Sequence, residues 1–209
     1  MARLRVPYLA IALSLAASVG LAAGIGLGAG TARADFDAGM DAYKKGHYER
    51  AFEEWLPAAR AGDPHAQHML GFLYAQGRGV GKDFNETVLW WQKAARQGLP
   101  PAQFTLGNLY LEGTGVRKNL DVAAKLIGAA AEAGFADAQY QYGLMHAKGD
   151  GVKRDIETAM MWLNLAAQKK GVPPTVYWTA IMPYLTPDER RDARTLLDDW
   201  KPEKRQRRP

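Results

Sequence analysis

Histidine is the residue type in this sequence with the widest chemical range, and the chain has 4 of them. His65 and His68 have a spacing that can bring two imidazoles to one side of a helix, as in a shared metal site. Asp63 is the one carboxylate close to the pair, so no third ligand is evident and the sequence predicts no metal site. His47 falls in a turn and His146 at a core position of a repeat, which favours structural roles for both.

Nucleophilic side chains are scarce in the chain. There is no cysteine, and the serines, Ser14 and Ser18, both lie in an N-terminal segment that we expect to be removed. Serine and cysteine form the covalent intermediates of many hydrolases. The sequence therefore predicts a protein that is not an enzyme and needs no cofactor, with a weak hydrolase as the least favoured alternative.

A glycine-rich segment from Gly77 to Lys82 superficially resembles a phosphate-binding loop. The phosphate loops of nucleotide-binding proteins follow a β-strand and open a helix. This segment instead follows a helical pattern, and two of its glycines, Gly77 and Gly79, recur at the same places in residues 113–118 and 149–154. Sequence repetition therefore explains the glycines better than nucleotide binding does.

The elements that position these residues form three copies of one unit. Residues 62–97, 98–133 and 134–169 align without gaps at a period of 36 residues. Among the identical positions are Ala66, Ala102 and Ala138; Gln67, Gln103 and Gln139; and Gly71, Gly107 and Gly143. A fixed period of this length is the signature of a solenoid, in which each unit buries its apolar face only by stacking on its neighbours.

Each unit is predicted to contain two helices, which we call helix A and helix B. In the first copy, the apolar spacing of Ala66, Leu70 and Leu73 predicts helix A from about Pro64 to Gln76. Gly77 follows at the place where a left-handed C-cap is favoured.

Helix B of the same copy is predicted to begin at Asp83, because Glu86 has the spacing of a capping box. The period predicts that Trp90, Trp91 and Trp162 of the B helices fill the core. Any of these rings that proved exposed would be a platform for carbohydrate.

The pattern GDxxAQxxLGxLYxxGxGVxxD, followed by a tryptophan and an alanine pair, resembles the Sel-one-like repeat, a relative of the tetratricopeptide repeat. The resemblance covers residues 62–169 closely, with local departures at Thr87, Leu126 and His146. It implies an all-α fold, a right-handed α/α superhelical solenoid whose A helices line a concave, protein-binding surface. The fold by itself does not identify the partner.

The segments that flank the repeats are predicted to cap the solenoid. Residues 35–61 resemble a divergent helix pair, with helix B from Tyr48 to Arg60. Residues 170–200 are predicted to form capping helices, one from Pro173 to about Tyr184 and one from Pro187 to Trp200. The basic tail, residues 201–209, is predicted to be disordered.

Residues 1–34 are predicted to be a signal peptide. Arg3 and Arg5 precede an apolar run from about Leu9 to Gly30, and Ala32-Arg33-Ala34 has the form of a cleavage site. We therefore expect export to the periplasm with cleavage after Ala34. The alternative is an uncleaved membrane anchor, because the run approaches the ~20 residues that span a bilayer.

The net charge of +5 is concentrated at the two ends of the chain. Arg3, Arg5 and Arg33 lie in the signal segment, and five more basic residues lie in residues 201–209. The charge balance therefore does not predict a nucleic-acid partner. Membrane association is expected only if the signal segment is retained, and the sequence leaves the oligomeric state open.

The outward positions of helix A carry unusually apolar side chains. We predict a partner-binding groove formed by His68, Phe72, Phe104, Asn108, Leu111, Tyr140 and Leu144. Apolar patches with aromatic anchors mark interaction sites, although neighbouring repeats would also cover part of this face. The sequence thus predicts a periplasmic scaffold that binds a protein or peptide partner, in envelope regulation, secretion or assembly. The alternative is a module that binds peptidoglycan or another polysaccharide.

Overall fold

The computed structural model describes the backbone of residues 28–199 and the side chains of residues 36–193. Within this range the regular structure is entirely helical, and the predicted all-α solenoid is confirmed. The helices are α1 (Gly28–Lys44), α2 (Tyr48–Arg60), α3 (Pro64–Gln76), α4 (Phe84–Arg96), α5 (Pro100–Glu112), α6 (Leu120–Glu132), α7 (Ala136–Lys148), α8 (Ile156–Lys170), α9 (Pro174–Trp178) and α10 (Pro187–Asp199), with a 3-10 turn at Met182–Tyr184.

Most of the predicted signal peptide and all of the predicted basic tail lie outside the described residues. The predicted cleavage site after Ala34 falls inside α1, which begins at Gly28. Among the described residues, no helix combines the length and the hydropathy needed to cross a bilayer.

The helices form a series of A/B pairs. α1 packs on α2, α3 on α4, α5 on α6 and α7 on α8, and each B helix also packs on the A helix of the next pair. The bounds of α2 and α3 are those predicted from the sequence. Since the connections are short, each unit contacts mainly the units before and after it.

Glycine and short polar side chains set the ends of the repeat helices. Helix A ends before a left-handed glycine, with φ of 67°, 80° and 83° at Gly77, Gly113 and Gly149. Helix B is preceded by a capping side chain that accepts a hydrogen bond from an N–H group of the first turn, at Asp83, Asn119 and Asp155.

The predicted capping box at Asp83 forms only in part. Its carboxylate accepts hydrogen bonds from two N–H groups of the first turn, including that of Glu86 at 3.1 Å. The N–H of Asp83, however, donates to the carbonyl of Tyr74 at 3.2 Å, because the loop folds back onto helix A. The capping box before α10 is complete, since the N–H of Thr186 donates to the Glu189 carboxylate at 2.8 Å and the N–H of Glu189 donates to the Thr186 hydroxyl at 3.2 Å.

Within a unit, a glycine lets helix B lie close to helix A. A Cβ added at Gly71 would overlap the indole of Trp91, whose N–H donates to the carbonyl of His68 at 3.0 Å. In the next unit, a Cβ added at Gly107 would lie 2.6 Å from Cγ1 of Ile127. The equivalent contacts are those of Gly39 with Trp55 and of Gly143 with Leu163.

Two contacts recur at the junctions between units. The second glycine of each loop lies against the first residue of the preceding helix B, as in Gly79 on Tyr48, Gly115 on Phe84 and Gly151 on Leu120. The helix A glutamine donates through Nε2 to a carbonyl of the preceding helix B, at 3.0, 3.4 and 3.2 Å for Gln67 to Ala59, Gln103 to Ala95 and Gln139 to Ala131. The loop glycines thus serve the stacking of units.

The predicted helix from Pro173 to Tyr184 is wrong in extent. Helix α9 ends at Trp178, and the 3-10 turn follows after a short bend. Pro183 has no N–H group, and its ring crowds the carbonyl one turn earlier, so a continuous α-helix as far as Tyr184 is disfavoured.

Trp162 is not the core residue that the sequence predicted. Its ring is half-buried and lies 5.5 Å from the ring of Tyr142, whereas the neighbouring Leu163 is 0% exposed. Trp90 and Trp91 are buried, at 6% and 4% exposed, as predicted. The position of Trp91 and Leu163 therefore faces helix A of the same unit, and the position of Trp90 and Trp162 lies beside the groove between successive B helices.

Candidate protein-binding surface

The predicted groove residues lie at equivalent positions on successive A helices. His68 on α3, Phe104 on α5 and Tyr140 on α7 share one repeat position. Phe72, Asn108 and Leu144 lie one turn further along the same three helices, and Leu111 follows on α5. All seven side chains are half-buried. We call this set the A-helix face.

Contacts with the next unit cover part of the A-helix face. The ring of Phe104 lies 5.4 Å from that of Phe135, just before α7. The ring of Tyr140 lies 4.7 Å from that of Tyr177 on α9. These rings therefore contribute both to the surface and to the junctions between units.

In the first repeat, the aromatic contacts of the A-helix face lie within the unit. Phe72 packs edge-on against Trp91 at 5.2 Å and against His68 at 4.8 Å. The link to the next unit is polar, since Nε2 of His68 lies 3.4 Å from the hydroxyl of Thr105 on α5.

Asn108 is the uncharged amide of the A-helix face. It shares its repeat position with Leu144 and lies three residues before Leu111 on α5, and both leucines pack against the buried core. Its amide forms no hydrogen bond with any other residue of the described chain. The group is therefore free to donate and accept hydrogen bonds, as a peptide backbone requires.

Burial keeps the His68 imidazole neutral. Burial, and to a lesser extent the charge of His65, lowers the pKa of His68 from 6.5 to about 4. His65 instead contacts the ring of Phe36 on α1 at 5.8 Å, so the two imidazoles pack against different neighbours. In the part of the chain that the structure describes, no three metal-ligating side chains come together.

His146 packs against the ring of Tyr142 at 4.7 Å, in keeping with a structural role. Its Nδ1 atom is buried and has no hydrogen-bond partner among the described residues.

The structure has a cavity between α4 and α6 that was not predicted from the sequence. It has a volume of about 330 Å³, and its floor is formed by Leu106 and Tyr110 of α5 and Leu126 of α6. The signal for it in the sequence was Leu126, which stands where the neighbouring units have Trp90 and Trp162.

Comparison with known proteins gives a consistent result. The Sel1 repeat family model matches residues 64–99, 100–135 and 136–170. A Sel1 repeat protein from Oxalobacter formigenes shares 35% identity over 64% of this chain and 55% of its own length, with a TM-score of 0.61. A protective antigen of uropathogenic Escherichia coli with an SLR fold shares 36% identity over 68% of this chain and 31% of its own length, with a TM-score of 0.62.

The chain therefore spans 55% and 31% of the lengths of these two relatives. No curated protein matches it.

Proposed function

A chain built of three such repeats belongs to the Sel1 repeat family, and we propose that this member is a non-catalytic scaffold that binds a protein or peptide partner along its A-helix face. Proteins of this family generally mediate protein–protein interactions. What has to be argued for this chain is therefore which surface is used.

The observation that supports the A-helix face is its row of equivalent side chains, His68, Phe104 and Tyr140. Each side chain contacts a neighbouring helix, and each keeps part of its surface open to solvent. Rings that are held in place before binding lose little conformational entropy when a partner packs on them. The free amide of Asn108 beside them supplies hydrogen bonds for the backbone of the partner.

We place the scaffold in the periplasm, where its partner acts in envelope regulation, secretion or assembly. The basis is the sequence pattern that ends in Ala32-Arg33-Ala34. N-terminal sequencing of the native protein should start at Asp35. A membrane-bound form that still begins at Met1 or Ala2 would show instead that the segment is a retained anchor.

Truncation of two anchors tests the proposed surface. Phe104→Ala combined with Tyr140→Ala should strongly reduce capture of the partner from an envelope extract, because a truncated anchor typically costs about 2 kcal/mol or more. Both rings also support junctions between units, so the double variant should melt below the parent, and capture is measured below its melting temperature. Asn108→Ala is a milder second variant, because no intramolecular hydrogen bond is lost.

The matched control is Leu89→Ala, which truncates a side chain of α4 that is 43% exposed and is not part of the A-helix face. This control should capture the partner as the parent does. Capture at the parental level by a folded double variant would exclude the A-helix face. Co-sedimentation with purified peptidoglycan that the same double variant abolishes would favour the polysaccharide alternative.

A further inference from the structure

The three grooves between successive B helices differ in what fills them. Between α2 and α4 the space is filled by Trp90, which is 6% exposed and packs among buried residues of α2 and α3. Between α6 and α8 it is filled by Trp162, which packs on the ring of Tyr142 at 5.5 Å. The groove between α4 and α6 has Leu126 at the position of these two tryptophans and Leu106 at the position of Tyr142. Here the structure has a cavity of about 330 Å³.

The walls of this cavity suit an aromatic side chain. Leu106, Tyr110 and Leu126 form the floor, and Ala95 and Val122 contribute apolar walls. Two neighbouring grooves of the same architecture each hold an indole at this place. The space left by the change from tryptophan to leucine is therefore of the shape and polarity that an indole fills, and a buried aromatic ring is the typical anchor of a protein interface.

The rim of the cavity carries positive charge. Arg96 on α4 and Lys125 on α6 line it, both are exposed, and neither has an ion-pair partner among the described residues. No carboxylate lines the cavity. In the groove between α6 and α8, the equivalent positions hold Glu132 and Met161, so the pair of cations distinguishes this groove from the next.

We propose that the cavity between α4 and α6 is a docking site for a tryptophan side chain flanked by carboxylates, on an acidic segment of a partner polypeptide. The indole enters between the B helices and contacts Leu106, Tyr110 and Leu126. The flanking carboxylates pair with Arg96 and Lys125, which orient the segment and speed its association. The site is formed by different residues from the A-helix face, so it stands independently of the function proposed for that face.

The probe is a short acetylated peptide with a tryptophan between two pairs of aspartates, and its affinity for the full chain is measured by titration calorimetry. The parent should bind it at least roughly tenfold more tightly than a peptide with alanine in place of tryptophan. The same preference should hold over a peptide with lysines in place of the aspartates. Equal affinity for the tryptophan and alanine peptides would overturn the proposal.

Leu126→Trp restores the side chain of the neighbouring grooves and should close the cavity. We expect a melting temperature at or above that of the parent and a loss of peptide affinity of at least roughly tenfold. Met161→Trp adds the same ring at an exposed position of the next groove and is the matched control, with parental affinity expected. A folded Leu126→Trp variant that binds the peptide as the parent does would overturn the proposal.

A charge-reversal variant keeps the test decisive if Leu126→Trp fails to fold. Arg96→Glu combined with Lys125→Glu changes only exposed side chains. The double variant should bind the lysine peptide more tightly than the aspartate peptide, which reverses the preference of the parent. Unchanged preference would overturn the proposal. The chain itself carries the sequence Asp198-Asp199-Trp200, so a dimer in sedimentation that Trp200→Ala abolishes would assign the cavity to a second copy instead.

Discussion

His68 shows how one residue of a repeat can take a different chemistry at a shared position. Phe104 and Tyr140 occupy the same place in the next two units, where they contact the following unit through rings. His68 is surrounded by the rings of Phe72 and Trp91 and by the Thr105 hydroxyl, with no carboxylate in contact. Its neutral form is therefore favoured in the folded protein.

This environment makes stability depend on pH. Because the pKa of His68 falls from 6.5 to about 4 on folding, the unfolded chain binds a proton between these pH values that the native chain does not bind. The contribution of His68 to stability is therefore present above pH 6.5 and is lost as pH falls toward 4.

His68→Phe should remove this dependence, since phenylalanine is native at the equivalent Phe104. Between pH 7 and pH 4 the parent should lose roughly 2 kcal/mol more of its unfolding free energy than the variant does. Urea unfolding at several pH values measures the difference. His47→Ala changes an exposed histidine in a turn and should keep the parental slope. If His68→Phe also keeps that slope, burial does not keep His68 neutral.

At the scale of elements, the sequence predicted what depends on local chemistry. The bounds of α2 and α3 follow from apolar spacing, and Gly77 ends α3 in the left-handed conformation expected of it. The prediction of α9 was wrong because the apolar pattern from Val176 to Tyr184 was given more weight than the proline at 183. The local pattern did not predict hydrogen bonds to a second element. The N–H of Asp83, for example, donates to the carbonyl of Tyr74 on α3, and the Glu86 side chain of the predicted capping box does not receive it.

The candidate surface was harder to predict than the fold, for a related reason. The period identifies which positions of helix A are equivalent, and six of the seven residues occupy two equivalent positions on α3, α5 and α7. The extent to which Phe104 and Tyr140 are covered depends on Phe135 and Tyr177, which belong to the following units. The distance between units is a property of the stacked structure, and the sequence pattern of one unit does not contain it.

The close approach of helices within a unit gives the prediction at this scale. Gly107→Val should force apart α5 and α6, because its Cβ would lie 2.6 Å from Cγ1 of Ile127 and 3.3 Å from the backbone nitrogen of the same residue. Such overpacking typically costs about 1–3 kcal/mol, which thermal unfolding followed by circular dichroism will detect. Gly81→Ala is the matched control, because no heavy atom lies within 4 Å of its added Cβ. A melting temperature for Gly107→Val equal to that of Gly81→Ala would show that the contact is not tight in solution.

At the scale of the whole molecule, the junctions between successive units are formed by the same types of contact. The glutamine of each A helix bonds to an alanine carbonyl of the preceding B helix, and each loop glycine rests on the start of that helix. One group of buried apolar residues joins α4 to α5, and another joins α6 to α7. A chain with this organisation is stabilised unit by unit and by nearest-neighbour interfaces, without contacts that span its length.

Deletion of residues 98–133 should therefore leave a folded, shorter solenoid. The deletion brings α7 onto α4, where Gln139 would meet the carbonyl of Ala95 as Gln103 does, and Gly151 would rest on Phe84 as Gly115 does. Every new junction thus reproduces a contact that the native chain already makes. We expect the same helical content per residue and one cooperative thermal transition, at a lower temperature because one interface is lost. Deletion of residues 98–119 is the matched control, because it removes α5 and its loop and places two B helices in sequence. Helix α6 then has no helix A of its own unit, and α4 loses the helix A that follows it. If the two deletions unfold alike, contacts beyond nearest neighbours hold the solenoid together.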